Sequence, residues 1–151
     1  MIHPTAINDG GVVGKGTKVW AYTHICIGAY IGKNCTIGEG VYIGPNVIIR
    51  DNCKIQNHAL IYEGVFIEDD VFIGPNVVTS NDAFPRARGP WSDRYRETHI
   101  RKGASICANS TIVCGFEIGA GAMVGAGSVV TQNIKPGFLA YGNPAKHVRK
   151  I

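Results

Sequence analysis

The stretch from Ile31 to Gly74, IGKNCTIGEGVYIGPNVIIRDNCKIQNHALIYEGVFIEDDVFIG, carries a branched aliphatic residue at every sixth position: Ile31, Ile37, Ile43, Ile49, Ile55, Ile61, Ile67 and Ile73. The run extends back through Ile25, Val19 and Val13 to Ile7, and a second run follows it: Ile100, Ile106, Ile112, Ile118, Val124 and Val130. Ile and Val make up roughly a fifth of the chain, so the unbroken first run has chance odds on the order of one in a hundred million. A period of six is neither the 3.6 of an α-helix nor the plain alternation of a strand. It fits short strands joined by turns, each unit sending one branched side chain inward, with three units closing a triangular coil.

A second register supports this. Four positions after each aliphatic residue stands a small or β-branched one, as at Thr17, Thr23, Ala29, Cys35, Val41, Val47, Cys53, Ala59, Val65, Val71 and Val77, which fill the inner corners. Glycine often follows the aliphatic residue directly, at Gly14, Gly32, Gly38, Gly44, Gly74, Gly119 and Gly125, where a tight corner favours a residue tolerant of positive φ. The hexads of the two runs make about six coils, and a spacing of ~4.8 Å gives a prism on the order of 29 Å tall. Each coil buries its faces only against its neighbours, so the end coils are the weak points. The general crossover rule for parallel strands predicts a right-handed path.

The register breaks once. From Ile73 to Ile100 the count is not a multiple of six, so NDAFPRARGPWSDRYRETH leaves the prism as a loop spanning about residues 80–99. Loops of that length in compact domains are usually functional or disordered; Pro85, Pro90, Trp91 and Tyr95 suggest an ordered arm that packs on something. In the tail, residues 134–151, Asn143 can cap and Pro144 can start a short C-terminal helix.

The 151 residues fit one domain, 1–151, and an aromatic content of 9% with 20 glycines predicts a narrow core. The net charge of +4 is concentrated in and just after the loop, at Arg86, Arg88, Arg94, Arg96, Arg101 and Lys102, and at the C-terminus. Two local anion sites fit this better than a nucleic-acid surface. The opening MIHPTAINDG has neither a basic start nor an apolar run, and no stretch is long and apolar enough for a bilayer, so a cytoplasmic protein with no membrane partner is expected. Five cysteines without a paired C-x-x-C spacing read as reduced thiols rather than a zinc site.

The segments IHPTAI, VWAYTHICIGAYIG, KIQNHALIYEGVFIEDDVFIGPNVV, SNDAFPR, IRKGASICANSTIVCGFEIG and AYGNPAKHV resemble those of the left-handed β-helix acyltransferases. Among these they are most similar to sugar-nucleotide N-acetyltransferases that acetylate the C3 amine of a UDP- or dTDP-linked 3-amino sugar. The resemblance covers most of the chain, and its most specific part runs from Lys54 to Arg86. It implies a left-handed prism, a homotrimer with active sites between subunits, acetyl-CoA along the groove beside the later coils, no metal, and a role in surface polysaccharide assembly. The free amine of such an acceptor, with a pKa akin to the ~7.7–8.0 of an α-amino group, is partly unprotonated near neutral pH. Orientation and oxyanion stabilisation are then the work left to the protein.

The resemblance assigns Asn81 a position near the reacting amine, where its amide can orient the nucleophile; the residue types alone also fit an Asn-Asp turn. Asp82 is a candidate proton acceptor or amine-orienting carboxylate. His58 lies on an outward corner and is a candidate base, although relatives often carry Asn there. Gly115, Ala126 and Gly127 are candidate donors of backbone N–H groups to the thioester and pantetheine. Lys146, Arg149 and Lys150 are candidates for the CoA phosphates. Arg86 and Arg88 suit a diphosphate or sugar carboxylate, and His24, beside Trp20 and Tyr22, suits the nucleotide. The turn CGFEIG lacks the histidine used by acetyltransferases of bacillosamine-type sugars, which argues against that branch, and Cys114 is read as packing.

Two other classes compete. An O-acetyltransferase needs a base, for which His58 is the candidate; a non-catalytic hexapeptide scaffold needs neither the polar loop nor the GNPAK ending. A γ-class carbonic anhydrase is disfavoured, since the H-x4-H pattern is missing and His24, His58 and His99 are widely spaced.

Overall fold

Each hexad contributes one strand, usually of two residues, because the turn that follows leaves little room for ladder pairing. Lys18–Val19, His24–Ile25 and Tyr30–Ile31 lie on three different faces, and Thr36–Ile37 returns to stack on Lys18–Val19. In the computed structural model, which describes residues 1–151, this repetition builds a parallel β-helix with sheets of seven, six and eight strands. The first face runs from Ile7–Asn8 through His24–Ile25, Tyr42–Ile43, Leu60–Ile61, Val78–Thr79 and Thr111–Ile112 to Val129–Val130. The second runs from Val12–Val13 through Tyr30–Ile31, Ile48–Ile49, Val65–Ile67 and Thr98–Ile100 to Glu117–Ile118. The third runs from Lys18–Val19 through Thr36–Ile37, Lys54–Ile55, Phe72–Ile73, Ser105–Ile106 and Met123–Val124 to a terminal hairpin. The prism has about seven coils, one more than the hexad count gave, because both termini add rungs.

Inter-coil hydrogen bonds such as Tyr30 N–H to the Val47 carbonyl, 2.8 Å, satisfy the backbone rung by rung. Inside, the isoleucines of the six-residue ladder from Ile25 to Ile118 are fully buried, and the small inward positions fill the corners between them. Thr17 and Thr23 occupy such positions by donating their hydroxyls to the carbonyls of Gly32 and Gly38, at 2.7 and 2.8 Å. All five cysteines are free, four of them buried. No helix is long and apolar enough to cross a membrane.

Four expectations are corrected. Ile7 is not part of the inward ladder: it pairs with His24 rather than Ile25, a register one residue out, and is 56% exposed. The turn at Gly10–Gly11, closed by the Asn8 side chain accepting from the Gly11 N–H at 2.7 Å, absorbs the offset. At the open end of the prism no lower coil demands an apolar contact there.

The glycines after the aliphatic residues do not supply positive φ. They permit close approach: a Cβ on Gly74 falls 2.6 Å from the Ala108 nitrogen, and one on Gly44 2.9 Å from the Glu63 nitrogen. Positive φ falls two positions later, at Asn34, Asn46, Asn52, His58, Asp70 and Asn76 as well as at Gly16, Gly40 and Gly64.

The first inward run ends one hexad later than Ile73, because Thr79 fills the next inward position with its hydroxyl bonded to the Leu60 carbonyl at 3.3 Å; the loop follows from residue 80, and the next strand starts at Thr98. Finally, there is no C-terminal helix. Phe138–Gly142 continues the third face in parallel on Met123–Val124, and Ala145–Lys150 folds back antiparallel on it, burying Ala140 and Ala145. The turn through Asn143 and Pro144 reverses the chain instead of starting a helix.

Candidate active site

The corner between the third and first faces carries a ladder of residues related by coil: Tyr22, Gly40, His58, Asn76, Asn109 and Gly127, all with positive φ. His58 is exposed, has φ 59°, and donates its backbone N–H to the Glu39 carbonyl at 2.8 Å. Its imidazole occupies the space that a side chain on Gly40 would fill, so Gly40 is required beneath it. Ala126 and Gly127 sit on the same corner, three coils further along. The Gly127 N–H is already donated to the Ala108 carbonyl at 2.9 Å, so the expectation that it reaches a ligand is corrected. What Gly127 offers is room, since nothing lies within 4 Å of a Cβ there. Ala126 keeps an uncommitted N–H.

The terminal hairpin brings Lys146 opposite Tyr141, which packs over Gly125, and so beside Ala126. Arg149 and Lys150 lie opposite Leu139 and Phe138, toward the other edge of the third face. The three cations expected to act together therefore separate, because the segment is extended rather than helical and rises ~3.3 Å per residue.

Asn81 and Asp82 stand at the opposite corner, between the first and second faces, where the loop leaves. Asp82 is fully engaged: one carboxylate oxygen accepts the Phe84 N–H at 2.8 Å and the other the Arg94 Nε at 3.2 Å. With the Arg96 N–H on the Asn81 carbonyl, 2.9 Å, these contacts clamp the base of the loop. The Asn81 side-chain amide has no partner and lines a cleft of 210 Å³ with Tyr62, Val78, Thr79, Ser80 and Pro85. Gly115, φ 93°, lies on this same corner under Arg96 with its N–H uncommitted. Gly115 thus joins Asn81 and is separated from Ala126 and Gly127.

In the loop, a short 3-10 turn spans Ser92–Arg94, and the Trp91 Nε1–H donates to the Arg86 carbonyl at 3.1 Å. Arg86 and Arg88 are exposed and free of carboxylate partners. His24 is not free: Nε2 lies 2.7 Å from the Asp9 carboxylate, and the ring meets Tyr42 edge-on. The Tyr42 phenol is pushed up to about 12, first by its contact with Cys26 and next by burial.

A further cleft, of 390 Å³, opens along the third–first corner below His58, between Trp20, Glu39, Lys54, Gln56 and Asn57. Sequence reasoning named Trp20 only as a neighbour of His24 and missed the rest. The available signal was that Trp20 and Gln56 occupy the position after the aliphatic residue, where the coil between them has Gly38. No group of three or more His, Cys, Asp or Glu side chains stands close enough to hold a metal ion.

A three-sided coil built on period six, with polar clefts along its corners, defines a hexapeptide-repeat protein. The chain matches the family "Bacterial transferase hexapeptide (six repeats)" over residues 10–45 and 34–68, and "Hexapeptide repeat of succinyl-transferase" over 99–132. It belongs to this hexapeptide-repeat acyltransferase family. It is 53% identical to the dTDP-3-amino-3,6-dideoxy-alpha-D-galactopyranose 3-N-acetyltransferase of Aneurinibacillus thermoaerophilus, over 97% of this chain and 76% of that protein. Among solved structures, a hexapeptide-repeat acetyltransferase of Vibrio cholerae complexed with acetyl coenzyme A superposes with a TM-score of 0.70 at 27% identity, covering 82% of this chain and 70% of that one. A Bacillus cereus protein gives a TM-score of 0.79 at 28% identity, over 97% and 84%.

Proposed function

We propose that the protein transfers the acetyl group of acetyl-CoA to the C3 amine of a UDP- or dTDP-linked 3-amino sugar, as a cytoplasmic homotrimer serving surface polysaccharide assembly. The observation that carries this reading is the likeness, over nearly the whole chain, to a relative named for 3-N-acetylation of a dTDP-linked amino sugar. The Vibrio cholerae relative's bound acetyl coenzyme A supports the donor.

The chemistry needs little acid–base assistance. The amine lone pair attacks the thioester carbonyl, an oxyanion forms, the C–S bond breaks, and the CoA thiolate leaves as the ammonium proton is lost. The unpartnered Asn81 amide is free to orient the amine, and the uncommitted N–H groups of Gly115 and Ala126 are free to meet the oxyanion or the pantetheine. Lys146 and Arg149 remain the candidates for CoA phosphates, and Arg86, Arg88 and His24 those for the sugar nucleotide. Asp82, engaged by Arg94, acts by holding the loop.

A trimer is supported by apolar stripes facing outward on two faces: Tyr42, Leu60 and Val78 on the first, Tyr30, Ile48 and Phe66 on the second. Two different stripes meeting head-to-tail generate a closed ring when the rotation closes. The exposed Phe84 and Trp91 of the loop point to the same conclusion.

The test is free-thiol release from acetyl-CoA with dTDP- and UDP-linked 3-amino sugars, 4-amino sugars and the parent hydroxy sugars. Turnover limited to 3-amino sugars supports the proposal. Turnover of a hydroxy sugar favours the O-acetyltransferase reading, for which the specific support is His58, exposed on the same corner as Ala126. No thiol release and no stabilisation by acetyl-CoA favours a scaffold.

A further inference from the structure

The two largest clefts differ in what their polar groups are doing. The larger, 460 Å³ on the second–third corner, is bounded by Lys33, Asp51, Glu68, Asp69 and Lys102. The carboxylates here already bind the backbone or neighbouring cations. Asp51 accepts the Lys33 N–H at 2.8 Å, Asp69 the Asp51 N–H at 3.0 Å, and Glu68 both the Arg101 guanidinium and the Lys102 N–H, at 2.9 and 2.8 Å. Lys102 reaches Asp70 at 3.7 Å. The carboxylates of that corner are thus structural, while the Lys33 ammonium and the Arg50 guanidinium that also line it have no intrachain partner.

In the 390 Å³ cleft below His58, where the lining His3 is tied to Thr5, the carboxylate is free as well. The Trp20 indole N–H, the Glu39 carboxylate, the Lys54 ammonium and the Gln56 amide have neither a hydrogen-bond partner nor an ion-pair partner in the chain, and Trp20 is 45% exposed. The floor is kept open by Gly38, where a side chain would collide with Asn57. An aromatic face, one cation, one acceptor-only group and one amide, all uncommitted, form a set that suits a nucleotide: base on the indole, phosphate on the ammonium, and base or ribose donors on the carboxylate.

Position supports the same assignment. The cleft and Ala126 lie on one corner, with His58 and Asn76 between them. From Gln56 to Ala126 is three coils, roughly 14 Å at ~4.8 Å each. A nucleotide seated at the lower end directs its sugar up the groove, while a pantetheine arm entering beside Lys146 comes down to meet it.

We propose that this cleft binds the nucleoside diphosphate moiety of the acceptor, with Trp20 stacking on the base and Lys54 pairing with the diphosphate. The imide N–H of UDP and dTDP is a donor that the acceptor-only Glu39 can receive. The assignment rests on the sugar-nucleotide reading above, but its test does not need an amino sugar.

The experiment is titration of the intact protein with thymidine diphosphate, uridine diphosphate and cytidine diphosphate by calorimetry, repeated in Trp20→Ala and Lys54→Ala variants. Retained thermal stability of each variant is checked beforehand, and both side chains point outward. Expected are saturable binding of all three nucleotides, since stacking tolerates any base, and a Kd raised roughly tenfold or more in each variant, as loss of one base stack or charge pair gives. The KM for acetyl-CoA stays unchanged. A Kd within about twofold of wild type in both variants overturns the proposal even if the amino sugar is turned over. Conversely, nucleotide binding lost in the variants, with no amino sugar acetylated, upholds the cleft and sinks the acceptor assignment.

Discussion

His58 and Asn81 stand at opposite edges of the first face. His58 lies in the turn before Leu60–Ile61, and Asn81 follows Val78–Thr79 one coil on. A face is about five extended residues wide, so the two are separated by roughly 15 Å. Ala126 and Lys146 share the edge of His58, whereas Gly115 and the loop share that of Asn81. On the proposed homotrimeric reading, each subunit offers two half-sites facing away from each other, and a neighbour that brings its Asn81 edge against this His58 edge completes the site.

Asn81→Ala is expected to lower kcat by roughly a hundredfold, the scale for removing one preorganised hydrogen-bonding group, with little change in thermal stability since the amide has no intrachain partner. Asp82→Asn behaves differently. Losing the ion pair to Arg94 loosens the loop base, so the KM for the sugar nucleotide rises more than kcat falls. Steady-state kinetics of the two variants, compared side by side, separate these outcomes; identical effects would contradict the division of roles.

Ile55→Ala is expected to cost about 2–5 kcal/mol, as for a fully buried aliphatic in a packed ladder. Ile7→Ala, although on the same sequence period, is expected to cost under about 1 kcal/mol because the side chain is largely in water. Denaturant unfolding measures both, and equal losses would place Ile7 in the core after all.

Gly74→Ala brings a methyl group 2.6 Å from backbone that cannot retreat without opening the coil, for an expected loss of about 3 kcal/mol or more. Gly127→Ala meets no atom and loses only about 1 kcal/mol to its positive φ. Thermal unfolding of the pair tests whether close approach, rather than φ, is the reason for glycine after the aliphatic residue.

Glu68 is held below the usual carboxylate range by the Arg101 guanidinium first and by the Lys102 N–H next. A depressed folded-state pKa means the unfolded chain binds more protons, so this contribution is present above the unfolded pKa and is lost as pH falls through the folded one. The pair is partly exposed, so Arg101→Ala is expected to cost under about 1 kcal/mol at pH 7. The difference from wild type should shrink on acidification; a gap that widens at low pH would contradict the assignment.

The repeat was legible because each inward residue recurs at a fixed spacing and every coil imposes the same steric demand. Reading failed where that demand lapses. At the N-terminal end no coil lies beneath Ile7, and at the C-terminal end the chain leaves the hexad and folds back as a hairpin. The loop's position was visible as a broken register, but Thr79 escaped notice because a threonine with a bonded hydroxyl substitutes for isoleucine. Asn81 was singled out by the resemblance. Glu39, Lys54 and Gln56 were not, since each is an ordinary outward residue and only the stacking of successive coils gathers them around Trp20.

The most direct measurement is complementation between two inactive variants: Asn81→Ala, which empties one edge, and Ala126→Trp, which blocks the groove on the other. Each homo-oligomer should be inactive. Mixed by co-expression, they are expected to recover roughly a quarter of wild-type acetyl transfer, because in a ring of random composition that fraction of junctions joins two intact edges. No recovery in mixtures whose subunits have demonstrably exchanged would contradict a site built between subunits.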